Sequence, residues 1–259
     1  MLATIPHFGV FFLSASSDWY GTIFPESLTL QHYGEGLGHP LVLGSIKNSL
    51  LYASGATFLD VILGVAIAWV IVRSKMWGRN LLDALMMLPL AVPGLVLAFG
   101  YLSMSENGGA FSFLIGPNGN PALLLILAYA VRRLPFVVRA AVSGLQQSNV
   151  ELEEAAMSMG ASPSRAFWRV GLPLIGTSLI AGAILAFAFA MLEVSDGLIL
   201  AQQAEHYPIT KAIYALLSTL GNGHEIASAL GVWAMIFLGV ALAGAFVLVG
   251  RRGGNLFRF

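Results

Sequence analysis

Few side chains in this sequence can do chemistry, and their spacing narrows the choice further. Cysteine is absent, so disulfide frameworks, thiolate metal sites and cysteine nucleophiles are excluded. His7, His206 and His224 stand singly, without metal-ligand spacing, and no metal site is expected. The sequence holds no H-E-x-x-H pair and no G-x-x-x-x-G-K-[ST] phosphate loop; the glycine-rich stretch Gly250–Gly254 lacks the lysine. An enzyme acting within the membrane would need such a metal cluster or a paired nucleophile and base. What remains is a set of isolated charges in apolar surroundings: Asp60, Asp83, Arg132, Arg133, Arg139, Glu193 and Asp196. A second set, Glu151, Glu153, Glu154 and Arg165, lies in a more polar stretch.

Composition states what must hold those charges. Of 259 residues, 57% are hydrophobic and only 10% are charged, against roughly 25% charged in soluble domains. So much apolar surface cannot hide in one globule, and a soluble enzyme, a nucleic-acid binder and a disordered chain are excluded. A membrane-crossing helix needs about 20 mostly apolar residues. Five full spans follow: Leu50–Val72, Leu81–Ser103, Pro121–Val142, Leu174–Glu193 and Ile226–Gly250. Leu2–Leu13 is apolar but short and contains Pro6. It lacks the basic start and clear cleavage site of a signal peptide, and reads as the second half of a truncated N-terminal span. The expectation is an all-α integral membrane protein without internal repeats. Pro117-Asn118-Gly119-Asn120 reads as a tight turn. Pro89 and Pro93 in the second span are either a harmless kink or a bend lining a pathway.

Charge placement orients the spans. With alternating helices, Arg73, Lys75, Arg79, Arg132, Arg133, Arg139, Arg165, Arg169, Arg251, Arg252 and Arg258 share one side, and only Lys47 and Lys211 fall on the other. The second side carries Asp18, Glu26, Glu35, Glu106, Asp196, Glu205 and Glu225. Basic loops stay in the cytoplasm. Residues 146–172 and the C-terminus are therefore expected inside.

That inner loop is too long and patterned to be a connector. Ser148-Asn149-Val150-Glu151 reads as a capping box, Gly160 as a left-handed helix stop, and Ser162-Pro163 as the start of a second helix. The result is a helical hairpin. Glu153, Glu154, Ala155 and Ala156 are expected to face the cytoplasm, with Leu152, Met159 and Phe167 covering the membrane side. An interfacial hairpin resting on lipid headgroups would favour Lys and Arg over Glu-Glu. Small residues flanked by charge fit a docking surface for a soluble partner.

At these residues the chain resembles a known family. Glu154-Ala155-Ala156, three residues, Gly160, nine residues, then Val170-Gly171-Leu172-Pro173 is similar to the E-A-A-x3-G-x9-I-x-L-P loop of binding-protein-dependent ABC importer permeases, with valine in place of isoleucine. Asn48-Ser49-Leu50 resembles the N-S-L that opens the type I permease domain. Arg133-Leu134-Pro135 with Arg139, and Glu193-Val194-Ser195, resemble segments of ferric iron, thiamine and phosphonate permeases.

The resemblance implies a type I ABC importer transmembrane domain over residues 43–250. Residues 1–42 would hold the partial span and an external loop, about 146–173 the coupling loop, and 251–259 a cytoplasmic tail. It implies ABC ATPase subunits seated on that loop, a second permease subunit, and an external solute-binding protein that delivers the cargo. The chain would lie in the bacterial inner membrane, in contact with lipid, and would bind no nucleic acid. No cofactor is expected on this chain, since ATP and Mg belong to the partner ATPase and the permease is not itself an enzyme. The implied coupling residues are Glu153, Glu154, Ala155, Ala156, Gly160, Leu172 and Pro173. Pathway or gate candidates are Asp60, Arg132, Arg139 and Glu193. Asp60 is a cargo contact or a structural aspartate bonded to a neighbouring helix. Arg132 and Arg139 line a cationic inner mouth or pair with Asp83. Glu193 and Asp196 form a gate for a cation or a solvated helix end. The Glu193–Leu198 and Tyr207–Lys211 runs are most similar to ferric iron permeases. The alternative, an ATP-independent secondary transporter or channel, leaves the hairpin without a role and lacks the inverted repeat.

Overall fold

A computed structural model describes residues 4–17, 19, 21–106, 109, 111–115, 119–219 and 221–255, and its long elements are all helices. In chain order they are α1 (Ile5–Ser14), α2 (Gln31–Gly38), α3 (Pro40–Arg73), α4 (Arg79–Leu85), α5 (Leu88–Ala91), α6 (Gly94–Ser103), α7 (Ala122–Gln147), α8 (Val150–Ser158), α9 (Pro163–Ala166), a π-helical turn at Phe167–Gly171, α10 (Leu172–Leu174), α11 (Gly176–Met191), α12 (Ser195–Leu200), α13 (Ile209–Leu217) and α14 (Gly223–Asn255). Leu2 and Ala3 of the expected partial span, Asp18, Pro117 and Asn118 of the expected turn, and Arg258 lie outside the described residues.

The five expected spans map onto helices, though not all onto straight ones. α3 and the Gly223–Gly244 part of α14 are each long and apolar enough to cross a bilayer. α7 is 26 residues long and stays helical through Pro135 despite its arginines. The second span is broken between Ala91 and Gly94. The cause is local. Val92 adopts φ −91°, ψ 131°, the extended basin to which a following proline drives its predecessor, so Pro93 ends one helix rather than kinking it. The fourth span is bent by 70° between Pro163–Leu174 and Gly176–Met191, where Ile175 leaves the helical basin at ψ 0° two residues after Pro173.

The chain divides into two compact units. The first comprises Met1–Tyr52, Gly94–Ile126 and Met191–Val240. Within it the start of α3 pins the segment before α13. The Asn48 amide donates to the carbonyls of Glu205 (2.7 Å) and Tyr207 (3.2 Å), the Ser49 hydroxyl accepts from the Ile209 N–H (2.8 Å), and the Tyr52 hydroxyl donates to the His206 carbonyl (3.2 Å). The N-S-L residues thus satisfy backbone groups of an otherwise irregular stretch.

The second unit comprises Ala53–Pro93, Leu127–Ala190 and Ala241–Phe259. Its core joins Val65 and Ala68 of α3, Val138, Ala141, Val142 and Leu145 of α7, Phe167 and Ile175. Helices approach closely where side chains are small, as packing between membrane helices requires. A Cβ on Gly64 would stand 2.8 Å from Val137 Cγ1, and one on Gly182 only 2.5 Å from Ala140 Cβ.

Candidate functional site

The hairpin forms as its sequence dictates, with one change at the start of α8. Asn149, not Ser148, caps the helix: its side-chain oxygen accepts from the Glu151 N–H at 3.0 Å. The expected capping box fails because the Ser148 hydroxyl is already engaged, donating to the Leu145 carbonyl (3.0 Å) and accepting from Arg73 Nη2 (2.8 Å). At the far end Gly160 takes φ +94°. The Ala161 N–H then reaches the Ala156 carbonyl (3.1 Å) and the Gly160 N–H the Met157 carbonyl (2.9 Å), the paired bonds of a left-handed helix stop. Ser162 caps α9 by accepting from the Arg165 N–H at 3.3 Å, with Pro163 in the first turn.

The expected faces of α8 are partly reversed. Glu154 and Ala155 are exposed and Ala156 is half-buried, as the docking reading requires. Glu153 is buried instead, and its Oε1 accepts from Arg73 Nη2 at 3.1 Å and Nε at 3.2 Å. Leu152 and Met159 are exposed; of the three residues expected on the membrane side only Phe167 is buried, edge-on to Trp69. The reversal has a simple cause. Residues 152 and 159 are seven apart on one helix face, and the face bearing Glu153 is drawn inward by a guanidinium that needs an anion. Leu172 is half-buried and Pro173 exposed. Between α8 and the returning segment of the hairpin (α9 and the π-helical turn) lies a hollow of about 320 Å³, lined by Ala156, Gly160, Arg165, Arg169 and neighbours. It exists because Ala156 and Gly160 leave it empty.

The charges in the spans sort by burial. Asp83 and Arg139 form an ion pair at 3.1 Å, with side chains 30% and 48% exposed. A pair so open to solvent contributes under about 1 kcal/mol. Arg73 and Glu153 are 14% and 9% exposed, and losing one member of a buried pair costs about 3–5 kcal/mol. Arg132 is half-buried on α7, and Arg133 lies over the Phe189 ring at 5.8 Å. Asp60 is fully buried, neither carboxylate oxygen has a hydrogen-bond partner among the described residues, and Arg133 is the charge that acts on it. In the first unit Glu193 and Asp196 are both buried, so the expectation of a solvated helix end is wrong. Glu193 Oε1 accepts from the Ser195 N–H at 3.0 Å, and its carbonyl accepts from the Thr210 hydroxyl at 2.6 Å. Glu193 thereby fixes the turn into α12. Among the described residues no three His, Asp or Glu side chains gather as a metal site.

Two groups escaped sequence reasoning. Arg73 was counted only as a loop charge, and the Asn48, Ser49 and Tyr52 contacts to residues 205–209 span more than 150 positions. The polar Asn-Ser pair entering an apolar run was the available signal for the second.

The hairpin stands on a helical domain whose helices pack closely through small residues. Residues 60–252 match the family of binding-protein-dependent transport system inner membrane components, and the chain belongs to that family. It is 32% identical over 207 residues to a probable sulfate transport system permease of Zygnema circumcarinatum, covering 74% of this chain and 68% of that one. The sulfate permease CysT of Salmonella typhimurium is 34% identical over 172 residues, 65% of this chain and 62% of the relative. The ferric transport permease FbpB of Actinobacillus pleuropneumoniae is 32% identical over 189 residues, 68% of this chain but only 27% of that longer protein. The chain therefore spans between a quarter and about two thirds of the length of these relatives. The fold matches a bacterial ABC transporter that imports alginate (TM-score 0.67, 18% identity, 99% of this chain and 91% of that chain) and the inward-facing MetNI methionine ABC transporter (TM-score 0.63, 16% identity, 82% and 95%). It is the type I ABC importer transmembrane fold.

Proposed function

We propose that this chain is the membrane-spanning permease subunit of an ATP-driven importer, in a bacterial inner membrane. Hairpin 146–173 and the C-terminus face the cytoplasm, and the hairpin couples to a separate ABC ATPase. The observation that carries this reading is the exposed Glu154-Ala155 face of α8, closed by Gly160 at φ +94° over an empty small-residue hollow. Backbone can approach backbone there, and a nine-residue helix needs a partner to hold its place. ATP and Mg are handled by the partner, since this sequence lacks a phosphate loop. A second permease subunit and an external binding protein complete the assembly, by analogy with the alginate transporter solved with its periplasmic protein.

The cargo we propose is a small inorganic ion, with ferric iron first, on the likeness of the Glu193–Leu198 run. The named relatives are permeases of ferric and sulfate transport systems. An oxyanion is the second reading, favoured by Arg132 and Arg133 on α7, the only charged residues in the first half of that helix. ATP-dependent uptake of radiolabelled iron against radiolabelled sulfate by vesicles supplied with the binding protein separates the two.

Docking is tested by copurification of the ATPase with tagged permease. Ala156→Trp fills the hollow and is expected to release the ATPase while the permease inserts normally. Glu154→Lys is expected to weaken the contact and make it more salt-sensitive. Full retention by both variants returns the secondary-transporter alternative.

A further inference from the structure

The docking face leaves one built feature of the hairpin unexplained. Glu153 turns away from that face, and its partner, Arg73, ends α3 eighty positions earlier in the chain. The Arg73 guanidinium gives two hydrogen bonds to Glu153 Oε1, at 3.2 and 3.1 Å, and a third to the Ser148 hydroxyl at 2.8 Å. That hydroxyl donates in turn to the Leu145 carbonyl in the last turn of α7, at 3.0 Å. One guanidinium therefore joins the ends of α3 and α7 to the first turn of α8. From the other side the carboxylate is backed by Gly171 in the π-helical turn, where a methyl group would stand 3.1 Å from Glu153 Cδ and Oε1 and from a Phe167 ring carbon. A side chain at position 171 would crowd the carboxylate, and glycine leaves it room beside the π-helical turn.

Stability alone does not explain this arrangement. Apolar residues of the same volume commonly stabilise a buried site as well as an ion pair or better. A forked, charge-assisted contact differs from apolar packing in its fixed length and direction. Apolar contacts are non-directional, whereas this one is lost once its length or angle leaves hydrogen-bond geometry. A displacement of α8 that preserves this contact has to carry the end of α3 with it.

We propose that Arg73–Glu153 is a rigid strut, and that Glu153 is a positioning residue transmitting movement of the hairpin to the first long span. The proposal rests on the reading that an ATPase docks on α8. The parent chain has no cysteine, so Lys75→Cys and Ser158→Cys, both at exposed positions, can carry the only two nitroxide labels. The complex with its ATPase is reconstituted in lipid nanodiscs, and the label-to-label distance is read without nucleotide and after trapping with ATP and vanadate. In the parent the two distributions are expected to coincide. In Glu153→Gln the ATPase is expected to copurify in normal yield, and trapping to produce a second, longer distance population. Arg73→Lys keeps the charge, so assembly is preserved, but loses the fork; it is expected to show the same longer population to a smaller extent. The strut is overturned if trapping changes the distance in the parent, if both variants keep a single unchanged distance, or if Glu153→Gln releases the ATPase, which would put Glu153 on the docking face. Absence of the ATPase from the parent complex overturns the importer reading itself, and that result is distinguishable because it appears before any substitution is made.

Discussion

Gly160 shows what a single position can decide. Its φ of +94° lies where side chains are strained, yet a Cβ there would meet nothing within 4 Å of this chain. Inside the permease the constraint is therefore backbone conformation, at roughly 1–2 kcal/mol for an ordinary residue, with asparagine better tolerated. Outside it the constraint is whatever approaches the hollow. The two separate experimentally. Gly160→Asn is expected to keep the hydrogen-exchange protection of residues 150–171 yet retain several-fold less ATPase, because only the approach is obstructed. Gly160→Val is expected to lose both. Equal ATPase retention by Gly160→Asn and the parent would show that nothing packs closely there. Gly160 was legible in the sequence because its role is local: a helix stop is written in the residues on either side of it. Glu153 was not. Nothing in Glu151-Leu152-Glu153-Glu154 says which carboxylate turns inward, and the guanidinium that decides it arrives from another helix. The expected pairing of Asp83 with Arg132 or Arg139 falls to Arg139; depth along a span is readable from the sequence, whereas rotation about the helix axis, which selects between the two arginines, is not.

At the scale of elements, length and apolarity located five spans, and their breaks went unseen for a related reason. Hydropathy averages over a window and carries no direction. Pro93 was noticed, but whether a proline kinks or ends a helix depends on whether Val92 can stay helical, and here it goes extended. The small residues that let helices meet were equally hidden among 29 glycines. They are now distinguishable. Gly182 stands against Ala140, while Gly176, at the start of the same helix, faces open space. Gly182→Ala is expected to push α11 off α7 at a cost of about 1–3 kcal/mol, as overpacked cores do. Gly176→Ala is expected to be neutral or to stabilise by roughly 0.4–1 kcal/mol through the unfolded chain. Thermal unfolding in detergent, followed by the tryptophan signal, checks the pair. A lower transition for Gly176→Ala than for Gly182→Ala would mean that this helix crossing is misassigned.

For the whole molecule the open question is direction, and the charge asymmetry carries it. Eleven basic residues lie toward one side of the spans, three of them (Arg132, Arg133 and Arg139) within the third span, and two lie toward the other. Each Arg or Lys placed at mid-membrane costs roughly 2.5–3.5 kcal/mol on insertion, so an inverted insertion would have to carry Arg73, Lys75, Arg79, Arg165 and Arg169 across the bilayer. The structure supplies two accessible reporters. Glu205 is 70% exposed in its side chain, and Ser162 is exposed at the start of α9. On the cysteine-free background, a membrane-impermeant maleimide is expected to label Glu205→Cys in intact cells, and Ser162→Cys only after permeabilisation. The consequence reaches past topology. ATP is available only in the cytoplasm, so the docking face of α8 is useful only on that side, and the strut from Glu153 to Arg73 has a force to transmit only there. Labelling of Ser162→Cys from outside would leave the fold untouched and remove both the coupling role of the hairpin and the purpose of the strut behind it.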